Sequence, residues 1–251
     1  MYDKCPKCGQ AIAAATPRPE ACPACGLVFR KYLLARAGTP PRALDAVPEP
    51  EEGESRWLAA FERFVYVPEE VQAWRVYAGA ALYTMSIWLG LRFFFMDIPD
   101  WEMSRTFLHA AMIPFHEFGH LAFRPFGEFL MLAGGSLVQI VMPLGFLALF
   151  SLKNRDNFAA SLMLWWSGTQ WIDLAPYAWD ALYPRHVLLT GRTGDTGAHD
   201  YIDMLGDIGL LHRAHEVGWV MHKFGFLVLL VAWAWGGYIL WRQFQSKVDS
   251  T

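Results

Sequence analysis

The sequence has no excess of positive charge: 21 Lys and Arg stand against 24 Asp and Glu, a formal net charge of −3. Without a basic surface to neutralise phosphates, nucleic acid is excluded as the main partner. An apolar h-region is also missing from the first 30 positions, which carry Cys, Pro and charge, so no signal peptide is expected there. Cysteine is scarce, four residues, all before position 26. Charge of either sign is sparse at 18%, whereas 54% of residues are hydrophobic, 16% are aromatic and 12 are Trp. That apolar load exceeds what soluble domains carry and makes a bilayer the expected solvent.

Charge-free apolar runs extend over Val76 to Leu91, Thr106 to Phe115, Phe129 to Leu152, Phe158 to Ile172 and Phe224 to Trp241. About 20 residues at ~1.5 Å rise cross a ~30 Å hydrocarbon core, so the third run spans alone and the others span with their flanks. The expected fold is mainly α: a polytopic α-helical membrane protein with four to six spans. Gly134-Gly135 interrupts the third run and suggests a re-entrant or hairpin start over Gly127 to Gly135.

The four cysteines form two knuckles, Cys5-Pro6-Lys7-Cys8-Gly9 and Cys22-Pro23-Ala24-Cys25-Gly26. This spacing is that of a small four-thiolate zinc ribbon, in which tetrahedral coordination supplies the folding energy that so short a module lacks. Gly9 and Gly26 allow the positive φ that turns backbone N–H groups toward thiolates. Two disulfides are the alternative. Paired knuckles without an export signal fit a reducing compartment better, which points the ribbon to the cytoplasm. The ribbon and a short basic helix are expected over residues 1–36, a Pro/Glu-rich linker over 37–56, an interfacial amphipathic helix over 57–72 and the transmembrane domain over 73–245. Arg56, Arg63 and Arg75 favour the cytoplasmic side for the N-terminus, although Lys153, Arg155 and Arg242 weaken the bias.

At the end of the second run, which becomes long enough to span only with these residues included, Pro114-Phe115-His116-Glu117-Phe118-Gly119-His120 holds a His-Glu-x-x-His motif. On a helix His116 and His120 share a face and can bind one Zn2+, with Glu117 beside the water that such an ion holds. Ionisable groups at bilayer depth are expensive, so three of them together need a shared partner. The reaction expected is hydrolysis of a peptide bond, Glu117 acting as general base and then as acid to the leaving amine.

A third ligand is sought among Asp173 and Asp180, seven residues apart in Trp171 to Ala181, with Pro176 expected to break the helix between them. His199 and Asp200 are reserve candidates, with Asp200 preferred as a helix N-cap. His212, His215 and His222 are given interfacial or surface roles. His109 is placed two turns before His116, either facing the same cavity or packed in the core. Residues 184–216 turn polar, and Gly191 to Gly197 is expected as a mobile loop that caps the site.

Over roughly residues 105–185 the chain resembles the site-2 protease family of intramembrane zinc metalloproteases. The resemblance lies in His116-Glu117-Phe118-Gly119-His120, in Gly135-Ser136-Leu137-Val138-Gln139, similar to a Gly-Pro-x-x-Asn element, and in Asp173-Leu174-Ala175-Pro176 followed by Asp180. It departs at Ser136, Gln139, Asp173 and Ala181, and the Pro-to-Asp spacing is one residue short. The resemblance implies a catalytic zinc on His116, His120 and Asp180, in addition to the structural zinc on Cys5, Cys8, Cys22 and Cys25. It also implies that Gln139 binds the substrate backbone or the developing oxyanion, the alternative being a helix–helix hydrogen bond.

The expected function is therefore an intramembrane zinc metalloprotease in a bacterial cytoplasmic membrane, acting on membrane-embedded proteins or peptides. The ribbon would contact a protein partner, or anionic lipid headgroups through Arg18, Arg30, Lys31 and Arg36. Two other classes stand beside it: a non-catalytic zinc-ribbon membrane adaptor, and a membrane di-iron oxygenase or desaturase. The second needs several dense histidine boxes, and His212-Arg213-Ala214-His215 is the only other close pair.

Overall fold

A computed structural model of the protein describes residues 4–12, 21–25, 27–29, 56–68, 71–189 and 191–248. The chain divides into two units, Met1–Gly53 and Glu54–Thr251. The described residues are mainly helical, without a named strand. Of the expected basic helix from Leu27 to Arg36, all but residues 27–29 lie outside the described residues, as do the linker up to residue 55 and Gly26.

In the first unit each cysteine knuckle is closed by one isolated antiparallel bridge, Lys4 with Ala11 and Ala21 with Val28. Gly9 turns at φ +71°, and its N–H donates to the Cys5 carbonyl at 2.9 Å. The Cys5 and Cys22 amides donate to Gln10 and Leu27. The two turns thus have the same construction, as their repeated sequence predicts.

The second unit begins with α1 (Arg56–Val65), which leaves Leu58, Phe61 and Phe64 exposed as an interfacial helix would, but ends before the expected residue 72. Its C-terminal carbonyls are tied down: Asn157 Nδ2 donates to the carbonyls of Arg63 and Tyr66, and Trp235 Nε1 donates to that of Phe64. Next comes α2 (Ala73–Phe94), which bends by 96° into 3-10 turns at Ile98–Asp100 and Glu102–Arg105. Trp101, at the junction of the turns, takes a left-handed conformation with φ 41°, rare for so bulky a residue. Thr106 then caps α3 (Phe107–Phe123), its side-chain oxygen accepting from the His109 amide.

Gly127, at φ 98°, starts α4 (Glu128–Ala148), which a π-turn at Leu149–Asn154 extends. The expected re-entrant start is not formed: α4 runs unbroken through Gly134-Gly135. The glycines serve a close crossing instead. A Cβ on Gly119 would stand 2.2 Å from the Gly134 carbonyl oxygen, and one on Gly134 2.6 Å from that of Gly119. Backbone therefore meets backbone where α3 crosses α4, the small-residue contact used by membrane helices.

Asp156 caps α5 (Asn157–Asp180) by accepting from the Ala159 amide. Pro176 lies inside α5 without breaking it, contrary to the expectation, and Asp173 and Asp180 belong to one continuous helix. Packed against α4 and α7 (Ala214–Val248), α5 buries Ser161, Ser167, Thr169, Gln170 and Asp173. The short α6 (Asp200–Asp207) is preceded by a return segment whose described residues, 181–189 and 191–199, are irregular.

Among the described residues two segments are long and apolar enough to cross a membrane, Glu128–Asn154 and Leu211–Ser246, or three if α2 and its bent continuation count as one span. This is fewer than the four to six read from the sequence. At 17 residues α3 is about 26 Å long, short of a ~30 Å core, and α5 is too polar to qualify because protein surrounds much of it. Large apolar side chains such as Trp88, Val141, Leu230 and Trp241 are exposed along the outer faces, as on a surface solvated by lipid.

Candidate metal centres

Two groups of side chains among the described residues bring at least three metal-ligating atoms within 4.8 Å of one another. The first is Cys5, Cys8, Cys22 and Cys25. Its Sγ atoms stand 3.7 Å apart in the pairs Cys5–Cys25 and Cys8–Cys22. A disulfide would require ~2.0 Å, whereas a tetrahedral ion with ~2.3 Å bonds to sulfur has edges of about 3.8 Å. The cysteines are free, and their arrangement has the dimensions of a four-thiolate site. Replacing Cys5 and Cys8 by Ser is expected to remove one metal equivalent and unfold the knuckle pair; elemental analysis of the full chain checks it.

The second group is His116, His120 and Asp200. The two histidines occupy one face of α3, a turn apart as their spacing predicts, over Gly135 of α4. His120 Nδ1 lies 2.9 Å from the Met131 carbonyl, which only accepts, so Nδ1 carries the proton. His116 Nδ1 donates likewise to Gln139 Oε1 at 3.0 Å. The Gln139 amide is oriented by its other side, since Nε2 donates to Gln170 Oε1 and to Asp173 Oδ2, each at 3.0 Å. In the neutral rings, both Nε2 lone pairs therefore face the site. Asp200 Oδ2 lies 3.2 Å from His116 Nε2 and 3.4 Å from His120 Nε2.

Three lone-pair donors converging in this way repel one another unless positive charge lies among them. A tetrahedral ion with bonds of ~2.0–2.2 Å to nitrogen and oxygen has donor–donor edges of about 3.3–3.5 Å, which these separations match. Space for it exists because residue 135 lacks a side chain. A Cβ on Gly135 would fall 2.7 Å from His120 Nε2 and 2.8 Å from His116 Nε2. The donor set and the cradle fit a metal ion.

No protein-family model, curated protein or solved structure matches the chain.

Asp200, held in reserve as an N-cap, is the carboxylate beside the two imidazoles. The N-cap of α6 is His199, whose Nδ1 accepts from the Ile202 amide, and Asp200 is the first helical residue. Its amide donates to the Tyr177 hydroxyl at 3.1 Å, and the Tyr201 hydroxyl ties α6 to Ser136 on α4. Burial opposes the charge of Asp200, yet His116 and His120, when their rings carry a proton on both nitrogens and no ion lies between them, hold its carboxyl well below the usual carboxylate range.

Asp180, the ligand implied by the family resemblance, stands elsewhere. One of its oxygens accepts from the Arg185 amide at 2.8 Å and the His186 amide at 3.3 Å, and the other lies 3.8 Å from His199 Nε2. It organises the turn after α5 and braces the residue next to Asp200. Asp173 is not a ligand in this arrangement either, because both its oxygens meet His109 Nδ1, at 2.8 and 3.0 Å.

Gln139 departs from the expected substrate or oxyanion role: both its N–H bonds go to α5, and its oxygen orients His116. The helix–helix alternative describes it. Gln139→Leu is expected to weaken metal binding at the histidine site about 10–100-fold, as the loss of an outer partner of a ligating imidazole does, and a competitive chelator titration measures it. Of the three outlying histidines, His212 is exposed and His215 stacks on Trp179, but His222 is buried against Phe94 instead of interfacial.

Glu117 lines the same cavity as the three donors, a space of about 530 Å³ whose walls include Trp101, His109, Tyr177 and residues 186–189 of the return segment. Glu117 is exposed. His186 and Trp101 were not singled out by motif or spacing. Trp101 carried a signal only as an aromatic residue beside the bend, and His186 carried none.

Proposed function

We propose that the protein is an intramembrane zinc metalloprotease. The observation that carries this reading is the convergence of His116 Nε2, His120 Nε2 and Asp200 Oδ2 over Gly135, with Glu117 beside them in one cavity. Three protein donors and an open fourth position are the pattern of catalytic zinc. When bound, such an ion acts as a Lewis acid toward a carbonyl and lowers the pKa of water toward ~7. Glu117 accepts a proton from the attacking water; the water oxygen bonds to the carbonyl carbon, the C–N bond breaks, and Glu117 returns the proton to the departing amine nitrogen.

The donor set suits one ion, whereas a di-iron centre needs further His and carboxylate ligands close by. The reading agrees with the resemblance to the site-2 proteases, with Asp200 taking the place given to Asp180. In this reading α3 and α5 also lie at bilayer depth, α5 enclosed by α4 and α7, which makes five crossings. The ribbon holds a structural zinc on the cytoplasmic side of a bacterial membrane and serves for contact with a protein partner.

The test is cleavage of a reporter with one transmembrane segment by the purified chain in liposomes. A reporter left intact by a chain containing two equivalents of zinc would overturn the assignment.

A further inference from the structure

Two turns before His116, about 10.5 Å along α3, His109 lines the same cavity. Its Nδ1 is fixed by both oxygens of Asp173, a residue only 1% exposed that also receives Gln139 Nε2. An Nδ1–H held in this way leaves Nε2 as the ring atom free for a ligand, and no partner for it is found among the described residues. The Trp101 ring stands nearly perpendicular to those of His109 and His186, with centroids 5.7 and 5.3 Å away, and stacks on Tyr177. The backbone of Trp101 is left-handed, and strain of this kind persists where surrounding contacts hold it. His109 is thereby oriented by a buried carboxylate on one side and walled by aromatic rings on the other.

We propose that His109 is a substrate-binding residue that hydrogen-bonds the peptide backbone about three residues from the scissile bond. This rests on the protease reading of the cavity. An extended chain advances ~3.3 Å per residue, so the offset of about 10.5 Å corresponds to about three residues. Peptide groups of a substrate unwound inside a membrane lose their helical partners, and an unpartnered one is costly there. Nε2 meets this need: the protonated ring and the Asp173 carboxylate form a neutral pair, so Nε2–H donates to a substrate carbonyl without adding net buried charge.

The experiment uses the full-length chain in liposomes and a synthetic single-span reporter peptide with one backbone amide at a time replaced by an ester, which weakens the carbonyl acceptor. His109→Ala should raise KM about tenfold, as expected for one lost hydrogen bond, with kcat and zinc content little changed. His109→Gln, which keeps a donor, should recover part of the loss. In the wild type an ester about three residues from the scissile bond should raise KM by a similar factor, and in His109→Ala the same ester should have no effect. An ester penalty of equal size in both chains, or loss of zinc from His109→Ala, would overturn the proposal. The same peptides are also titrated onto the Glu117→Gln chain, where binding reads the His109 contact without turnover. A wild-type chain that binds the reporter but never cuts it would sink the protease reading and still leave this contact measurable.

Discussion

Glu117→Gln is expected to keep both metal equivalents and lose about 10²–10⁴ of the cleavage rate, the range that a positioned general base contributes. The separation of these effects follows from where Glu117 stands. It is not one of the three donors over Gly135, whose mutual distances already account for the protein side of a tetrahedral site. It lies between the two ligands in sequence and lines the cavity that a substrate would enter. The amide matches the carboxylate in size and removes only the capacity to take a proton. Because Glu117 is exposed, the exchange should leave the fold unchanged. Zinc content and reporter cleavage on the same preparation decide the matter. A Glu117→Gln chain that cuts at the wild-type rate would remove Glu117 from the chemistry, and one that loses zinc would make it a ligand.

The parts of this protein that could be read from the sequence are those whose geometry is local. His116 and His120 meet because four residues make about one helical turn, and the cysteine knuckles carry their own turn residues. The carboxylate was legible only as a reserve candidate behind Asp180 and Asp173, because Asp200 is distant in sequence from the histidines it meets. Judged locally, an acidic residue at a helix start reads as a cap, and His199 proves to occupy that position instead. Gln139 was ambiguous for a similar reason, since its three partners lie on α3 and α5. Charge-free runs located α2, α4 and α7, whose outer faces carry exposed apolar side chains. They described α5 less well because its neighbours are other helices, where hydrogen-bonded polar groups replace apolar ones. Gly134-Gly135 looked like a break since glycine weakens helices, yet the crossing with Gly119 needs the absent side chains more than the helix needs propensity.

On the proposed function, Asp200→Asn is expected to release the zinc of the histidine site while Asp180→Asn retains it, a contrast that separates the observed geometry from the ligand set implied by the family resemblance. Asparagine at position 200 preserves the shape of the side chain and the amide donation to Tyr177 but presents a neutral oxygen to the ion. Affinity at this site should fall by more than the ~10–100-fold that accompanies loss of an outer partner, because a charged ligand is removed. Asparagine at position 180 can still accept the Arg185 and His186 amides through its carbonyl oxygen, so the turn that delivers His199 and Asp200 remains closed. Its main loss is the charge facing His199, a change on the order of 1 kcal/mol in stability with two zinc equivalents retained. Asp180→Ala removes the acceptor altogether and should loosen the turn, lowering zinc affinity indirectly together with thermal stability. A direct ligand would show the opposite order, with zinc lost as fully in Asp180→Asn as in Asp180→Ala and unaffected in Asp200→Asn. Zinc stoichiometry after dialysis against a weak chelator, measured beside the melting temperature of each variant, distinguishes the two arrangements, since only a ligand exchange removes metal from a chain that otherwise unfolds like the wild type.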